Sequence, residues 1–274
     1  MVAIVTDSTV CITKREASAY GVRIVPQNYI INGKSYKETY ADSFGGFAAQ
    51  IGDPEAVVET KEPDVRDFLD AFSLLVRKGY EIICITISSR LSSAYYNAVL
   101  AKKQLGGGRV EVIDSGLAAG GMYLLTKRAR YLANAGMSLE EIVGGVYKYI
   151  PSIFTRFSVD DLSALRKSHR LVSVRKSVGT MLNRKPLLRL SGGTIVAEEI
   201  ALGSSDRIRK MFGSIPHSAI NIIIHYITPS QRVDTIYRLA RRLFPNAFVE
   251  RRQLGPVLGA HLGCTVVGVV WGLR

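Results

Sequence analysis

The sequence predicts an α/β fold in two domains, an N-terminal one built on a parallel sheet and a C-terminal mixed α/β one containing an antiparallel hairpin. Three observations carry this. Short apolar runs alternate with amphipathic helical stretches through the first half, the rhythm of a parallel sheet covered on both faces. Near Pro151 the rhythm changes, and a Gly-Gly turn between two β-prone runs marks a hairpin. The chain has 274 residues, enough for two domains at about 150 residues each. The boundary near Pro151 divides residues 1–152 from residues 153–274.

Met1 to Thr6 is an apolar run ending at Asp7-Ser8-Thr9, where the backbone must turn. Val22 to Ile31 holds one or two short strands, broken by Pro26 and closed by the turn signal Asn32-Gly33. Asp64 to Arg77 places Val65, Phe68, Leu69, Phe72, Leu75 and Val76 on one helical face. A buried strand over Glu81–Ile87 runs into Ser88-Ser89, and a helix over Ser92–Gln104 ends at three glycines. The strand Val110–Ile113 meets Asp114-Ser115, and a long helix follows to about Asn134. Ser138-Leu139-Glu140-Glu141 is a capping box opening the next helix.

In the second half, helical segments near Val159–Lys167 and Val172–Met181 precede a hairpin of Pro186–Leu190 and Thr194–Ile200, turned by Ser191-Gly192-Gly193. A helix, the strand Ala219–Tyr226, the helix Ser230–Leu243 and the strand Ala247–Arg251 follow. A Gly-rich loop, Gly255 to Gly263, precedes a last apolar strand over Thr265–Trp271.

The 47% hydrophobic content excludes a disordered chain. No apolar run approaches the roughly 18 residues of a membrane span, and the N-terminus carries no basic, apolar leader pattern. Three scattered cysteines, Cys11, Cys84 and Cys264, make neither a disulfide framework nor a zinc site. The chain therefore reads as a soluble cytoplasmic protein without a metal. Its 36 Lys and Arg against 23 Asp and Glu give a net charge of +13. Residues 153–274 hold 19 of those basic and seven of the acidic side chains, a net +12, so the second half carries nearly all the excess.

Phosphate loops, dinucleotide turns, zinc helices and nucleophile elbows are all missing from the sequence. Asp7 at a strand end invites an aspartyl-phosphate reading, but the second acid expected two residues on is Thr9. Of the four histidines, His217 lies in a turn, His225 on an apolar strand, where a satisfied core histidine fits, and His169 among basic residues. His261 sits in the Gly-rich segment, where the backbone can approach a ligand. In parallel α/β sheets, ligands lie beyond the carboxyl ends of the strands. There, Ser8, Ser88, Ser89, Ser92 and Ser93 with Thr60 offer a neutral polar niche, supported by Asp7, Asp114 and Ser115. Hydroxyls plus one histidine suit a carboxylate and are poor at activating water without a base or metal. The chemistry reads as binding.

An ordered set of segments then resembles the DegV family, which contains the fatty-acid-binding subunits of bacterial fatty acid kinase. These are Ile4-Val5-Thr6-Asp7-Ser8-Thr9, Ile87-Ser88-Ser89-Arg90-Leu91-Ser92 with Tyr95, and Val112-Ile113-Asp114-Ser115. Asp161-Leu162 with Leu165-Arg166-Lys167 and Arg170, then Lys185-Pro186-Leu187-Leu188, and finally Gly255 to His261 complete the set. The resemblance implies a long-chain fatty acid buried between the two domains, its carboxylate held by Thr60, Ser92 and Ser93 with Arg170 and His261 near. It implies a partner, an ATP-dependent kinase subunit that phosphorylates the presented carboxylate, and no active site or cofactor in this chain. The basic half then offers a docking face for an acidic kinase or a transient contact with anionic membrane.

The sequence departs from the family pattern at Lys61, in place of a small hydroxyl, at Ser93, at Ser168-His169 and at Gly263-Cys264-Thr265. Lys61 is expected to point outward. Two other functions stay open on the residues alone: a phosphoryl or acyl transferase using Asp7 or Asp114, and nucleic-acid binding through the basic half. The second lacks interleaved aromatic residues and a recognition helix, so no nucleic acid is expected.

Overall fold

The computed structural model describes residues 1–53, 55–160, 162, 165–166, 170–171 and 184–274. Three sheets organise them. The first is four-stranded and wholly parallel, in the order β2 (Val22–Val25), β1 (Val2–Asp7), β6 (Glu81–Thr86), β7 (Val110–Asp114). Its strands are apolar because helices cover both faces: every residue of β1 is buried. The carboxyl ends fall at Asp7, Thr86 and Asp114.

A second, three-stranded antiparallel sheet places β3 (Gln27–Ile31) between β4 (Lys34–Glu38) and β5 (Val58–Lys61). The third has six strands in the order β10 (Thr194–Leu202), β9 (Arg184–Ser191), β8 (Ile153–Ser158), β13 (Val267–Gly272), β11 (Asn221–Tyr226), β12 (Phe248–Gln253). There β11 and β12 run parallel, while the other pairs are antiparallel. The expected hairpin is β9–β10, and Gly192 and Gly193 both take positive φ, as a two-residue turn of this hand requires.

Side-chain caps begin most of the helices that matter here. Capping boxes open α1 (Lys14–Ala19) at Thr13, α3 (Val65–Val76) at Asp64 and α6 (Leu139–Tyr149) at Ser138. Around them lie α2 (Phe47–Ile51), α4 (Ala94–Gln104) and α5 (Gly120–Asn134); α7 (Gly203–Gly213), α8 (Gln231–Leu243) and α9 (Pro256–Leu262) belong to the second half. No helix among the described residues is long and apolar enough to cross a membrane.

Several elements differ from the sequence reading. The segment Gly255–Gly263, expected to be a loop, is the helix α9 with Gly255 as its N-cap, Pro256 opening it and Gly263 at φ 77° ending it. Helix α1 and strands β4 and β5 have no counterpart in the reading. The expected helix Val172–Met181, residues 161, 163, 164 and 167 of the expected segment Val159–Lys167, and His169 lie outside the described residues.

Buried apolar side chains form two main clusters. The larger packs the parallel sheet and its helices against one face of the six-stranded sheet, and it joins residues from both sides of position 152, such as Ile85, Leu117, Phe157, Ile223 and Val270. The smaller lies on the opposite face of the six-stranded sheet, under α7 and α8, with Ile222, Ile224, Val269 and Trp271 from the strands. Arg252 of β12 ties the halves together. Its guanidinium pairs with Glu16 of α1 and with Glu250, and it stacks 3.4 Å over the Tyr123 ring. Glu16 is thereby held at about 2, well below its ordinary value, against an opposing effect of burial.

At the start of α5, the Gly120 N–H donates to His225 Nε2 over 3.0 Å. A Cβ at position 120 would stand 2.5 Å from that nitrogen and 3.0 Å from Ile223 Cδ1. Gly120→Ala should therefore destabilise the fold by about 2–3 kcal/mol, through overpacking and a lost buried hydrogen bond. Urea unfolding followed by circular dichroism measures this, and an unchanged midpoint would contradict the packing described.

Glu38, fully buried on β4, accepts from Ser8 Oγ (2.9 Å) and from the Val257 N–H of α9 (2.7 Å). Burial pushes its carboxyl up to about 7. A raised acid binds its proton in the folded state before it would unfolded, so its ionisation costs stability as pH rises from about 4.5 to about 7. Glu38→Gln removes the charge and keeps one carbonyl oxygen to accept from the Val257 N–H, its amide N–H donating to Ser8 Oγ where the carboxylate accepted. Relative to wild type it should gain on the order of 2–3 kcal/mol between pH 5 and pH 8; parallel stability curves in denaturant would refute the assignment.

Candidate functional site

Between the carboxyl ends of the parallel sheet and the inner face of the six-stranded sheet lies a cavity with about 890 Å³ of empty space, its mouth included. One wall comes from the loops after β6 and β7, with Ile87, Leu91, Ala118 and Ala119. The facing wall is the sheet, through Phe157, Leu190, Ile195 and Val270, and α9 closes a third side with Leu258 and Leu262. Most of the lining is aliphatic or aromatic.

Five of the polar groups that line it, all on half-buried residues, are Thr60 of β5, Glu62, Ser92, Arg170 and His261 of α9, and hydrogen bonds link several of them at one end. His261 Nε2 lies 2.9 Å from Thr60 Oγ1. Its Nδ1 lies 3.4 Å from Arg170 NH1, and Arg170 Nε donates to the Leu91 carbonyl at 2.9 Å. A guanidinium can only donate, so Nδ1 accepts and the neutral ring carries its proton on Nε2. That proton goes to Thr60 Oγ1. The Thr60 hydroxyl proton is then left to be given to something in the cavity.

Burial first, and the Arg170 charge second, lower His261 to about 4, so the ring is neutral near pH 7. The pKa of Glu62 is lowered too, which for a carboxyl favours the charge: Ser93 Oγ donates to it at 2.5 Å, and this bond, with Arg170 and Lys61 nearby, keeps it ionised. The polar end thus holds one cation, one carboxylate and a neutral imidazole. A hydroxyl beside an imidazole has the outline of a nucleophile and base. Here an arginine stands where such a pair needs a carboxylate to orient the ring and stabilise its cation, so His261 is a poor base.

The structure brings Thr60, Ser92, Arg170 and His261 of the predicted residues to this cavity. Ser93 is exposed and turned to Glu62. The strand-end groups brace turns instead. Asp7 accepts from the N–H groups of Thr9 (3.0 Å) and Ile87 (2.7 Å), from the Thr9 hydroxyl (2.5 Å) and from Gln27 Nε2 (3.2 Å). Burial raises its pKa. Ser8 donates to Glu38, Ser88 to the Gly193 carbonyl (2.7 Å), Ser89 to Asp114, and Ser115 to the Leu117 carbonyl (3.2 Å). Asp114 also accepts from the N–H groups of Ser89 and Gly116. Lys61 is exposed, as expected.

His225 is the satisfied core histidine that its strand suggested. Nδ1–H donates to the Arg252 carbonyl at 3.2 Å, Nε2 accepts from Gly120, and burial lowers it to about 3. It nevertheless lines the cavity, as do Gln27 and Glu62, which sequence reasoning did not assign to the site. Glu62 stood two residues from Thr60, and that proximity was its only signal.

Comparison with known proteins identifies the family. The DegV family model, described as an uncharacterised protein of that family, matches residues 1–273. A DegV domain-containing protein of Halalkalibacterium halodurans is 29% identical over 98% of both chains. One from Caldanaerobacter subterraneus is 30% identical over 98% of this chain and 97% of its own. Among solved structures, a DegV family protein of Thermus thermophilus, described as fatty-acid binding, is 25% identical with a TM-score of 0.89, over 100% of this chain and 99% of that one. DegV of Bacillus subtilis, a fatty acid binding protein, shares the fold at 21% identity with a TM-score of 0.87 and the same coverage. Matched from end to end by the family model and by full-length relatives, this chain belongs to the DegV family.

Proposed function

We propose that this protein binds a long-chain fatty acid in the cavity between its two halves and presents the carboxylate to a separate ATP-dependent kinase subunit. The observation that supports this most is the division of the cavity into an apolar length and one half-buried polar end. The fatty-acid binding described for the Thermus thermophilus relative points the same way. In this reading residues 1–152 and 153–274 are the two domains, and the ligand sits where they meet.

The tail supplies the affinity. At about 0.8 kcal/mol per methylene, about fourteen methylenes contribute roughly 11 kcal/mol before ordering and desolvation are subtracted. The head group then needs orientation more than attraction. Thr60 donates its hydroxyl proton, because His261 occupies its lone pair; Ser92 donates a second. Arg170 is shared among Leu91, His261 and Glu62, so it tempers the negative charge of the carboxylate without locking it into a closed ion pair. Ser93 and Glu62 form the rim. An oxygen held by hydroxyls stays nucleophilic, and in the partner's site it attacks the terminal phosphorus of ATP, giving acyl phosphate and ADP. Among the described residues no cluster of acids, histidines and cysteines could hold a metal for that step, which in this reading falls to the partner.

Mass spectrometry of an organic extract of the purified protein should find a long-chain fatty acid at near one per chain. After delipidation, Thr60→Val should weaken rebinding about fivefold to tenfold, the effect of one hydrogen bond to a charged group. Absence of saturable binding of any long-chain acid would overturn the reading. Presentation is tested separately: with a fatty acid kinase subunit and ATP, hydroxylamine should trap acyl hydroxamate from the wild type, while binding without any trapped product would leave a carrier that has no kinase.

A further inference from the structure

The inner part of the cavity holds a polar group that the head-group site does not use. Thr155 of β8 lines the cavity, and its Oγ1 is shielded from solvent with no hydrogen-bond partner among the described residues. Its cross-strand partner is Val270, and the side chains lining the cavity nearby include Phe157, Leu190 and Ile195, none of which can accept a proton. The two other polar groups that line the cavity outside the head-group set are engaged, His225 through both ring nitrogens and Gln27 with Asp7. Buried hydroxyls of Thr126 and Ser158 also lack partners, but neither lines the cavity.

Valine has the shape and strand preference of threonine without the hydroxyl, so packing alone gives no reason for Thr155. Interiors leave few polar groups unpaired, and each that is unpaired asks for an explanation. A plain methylene chain lying against this wall leaves the hydroxyl dry and unmatched. A chain carrying its own oxygen satisfies it and is itself satisfied. Sites built around such a bond discriminate strongly against the analogue that lacks it.

We infer that Thr155 determines ligand specificity, pairing with an oxygen on the acyl chain, so that the protein prefers a hydroxylated or oxo long-chain fatty acid to the plain saturated one. This rests on the fatty-acid reading above. The test uses delipidated full-length protein and displacement of a fluorescent acyl probe by stearic acid and by a positional series of hydroxystearic acids. At least one isomer should compete roughly fivefold to tenfold better than stearic acid, as one recovered hydrogen bond predicts. Thr155→Val should abolish that preference while holding stearic acid at least as well, and Thr155→Ser should retain it. If every hydroxylated isomer is weaker than stearic acid in the wild type, or the ratio is the same in Thr155→Val, the inference is wrong. If stearic acid and all the isomers fail to displace the probe, the fatty-acid reading falls as well, which the first two outcomes leave intact.

Discussion

A buried carboxylate holds the floor of the cavity together. Asp7 at the end of β1 gathers donors from its own turn, from Gln27 on β3 and from Ile87 after β6. Both Gln27 and Ile87 line the cavity. Removing a carboxylate from water is expensive unless donors replace its hydration, and four donors converge here. The next residue extends the network: Ser8 donates to Glu38, and Glu38 accepts from Val257 at the start of α9. Two side chains adjacent in sequence thus fix the parallel sheet, the small antiparallel sheet and the helix that carries His261. The fit around Glu38 is close, since a Cβ on residue 255 would stand 2.5 Å from its Oε2.

With that frame set, the head-group end can remain loosely charged. His261 is neutral because it is buried beside Arg170. Arg170 and Glu62 influence one another across the same opening. An imidazole protonated near neutral pH would bind a carboxylate more tightly and surrender it less readily. A neutral ring donating to Thr60 instead turns a threonine into a donor of fixed direction. In the proposed reading, directionality for the head and burial for the tail are separate tasks that fall to separate parts of the cavity.

Much of this was legible in the sequence, for reasons that differ by element. The parallel sheet followed from strands apolar throughout, and the β9–β10 hairpin from two adjacent glycines able to take positive φ. The helix α9 was misread because its glycines suggested a loop. Gly255, Pro256 and Gly263 are in fact N-cap, first helical residue and terminator, the ordinary punctuation of a short helix. Strands β4 and β5 expose alternate polar residues on a narrow sheet, so little hydrophobic signal marks them. Of the site, Thr60, Ser92, Arg170 and His261 came together from segments far apart in the chain, which only the family pattern could have assembled. Spacing alone gathered the strand-end hydroxyls, and Ser8, Ser88 and Ser89 went instead to acceptors that other segments bring alongside, Glu38, the Gly193 carbonyl and Asp114.

The positive charge resolves in the same physical terms. Among the described residues, every acid of the second half is paired with an arginine or lysine: Asp160, Glu198, Glu199, Asp206, Asp234 and Glu250. Arg252 spends its charge across the halves on Glu16. Part of the remainder lies on α8, where Arg238, Arg241 and Arg242 are exposed at spacings of three and four residues, a mildly destabilising arrangement in an isolated helix. That helix covers the face of the six-stranded sheet opposite the cavity. That part of the surplus charge therefore lies on the outer surface, while among the described residues the cavity lining balances one cation, Arg170, against one carboxylate, Glu62. In the proposed reading, a ligand held mainly by its tail needs no more than that.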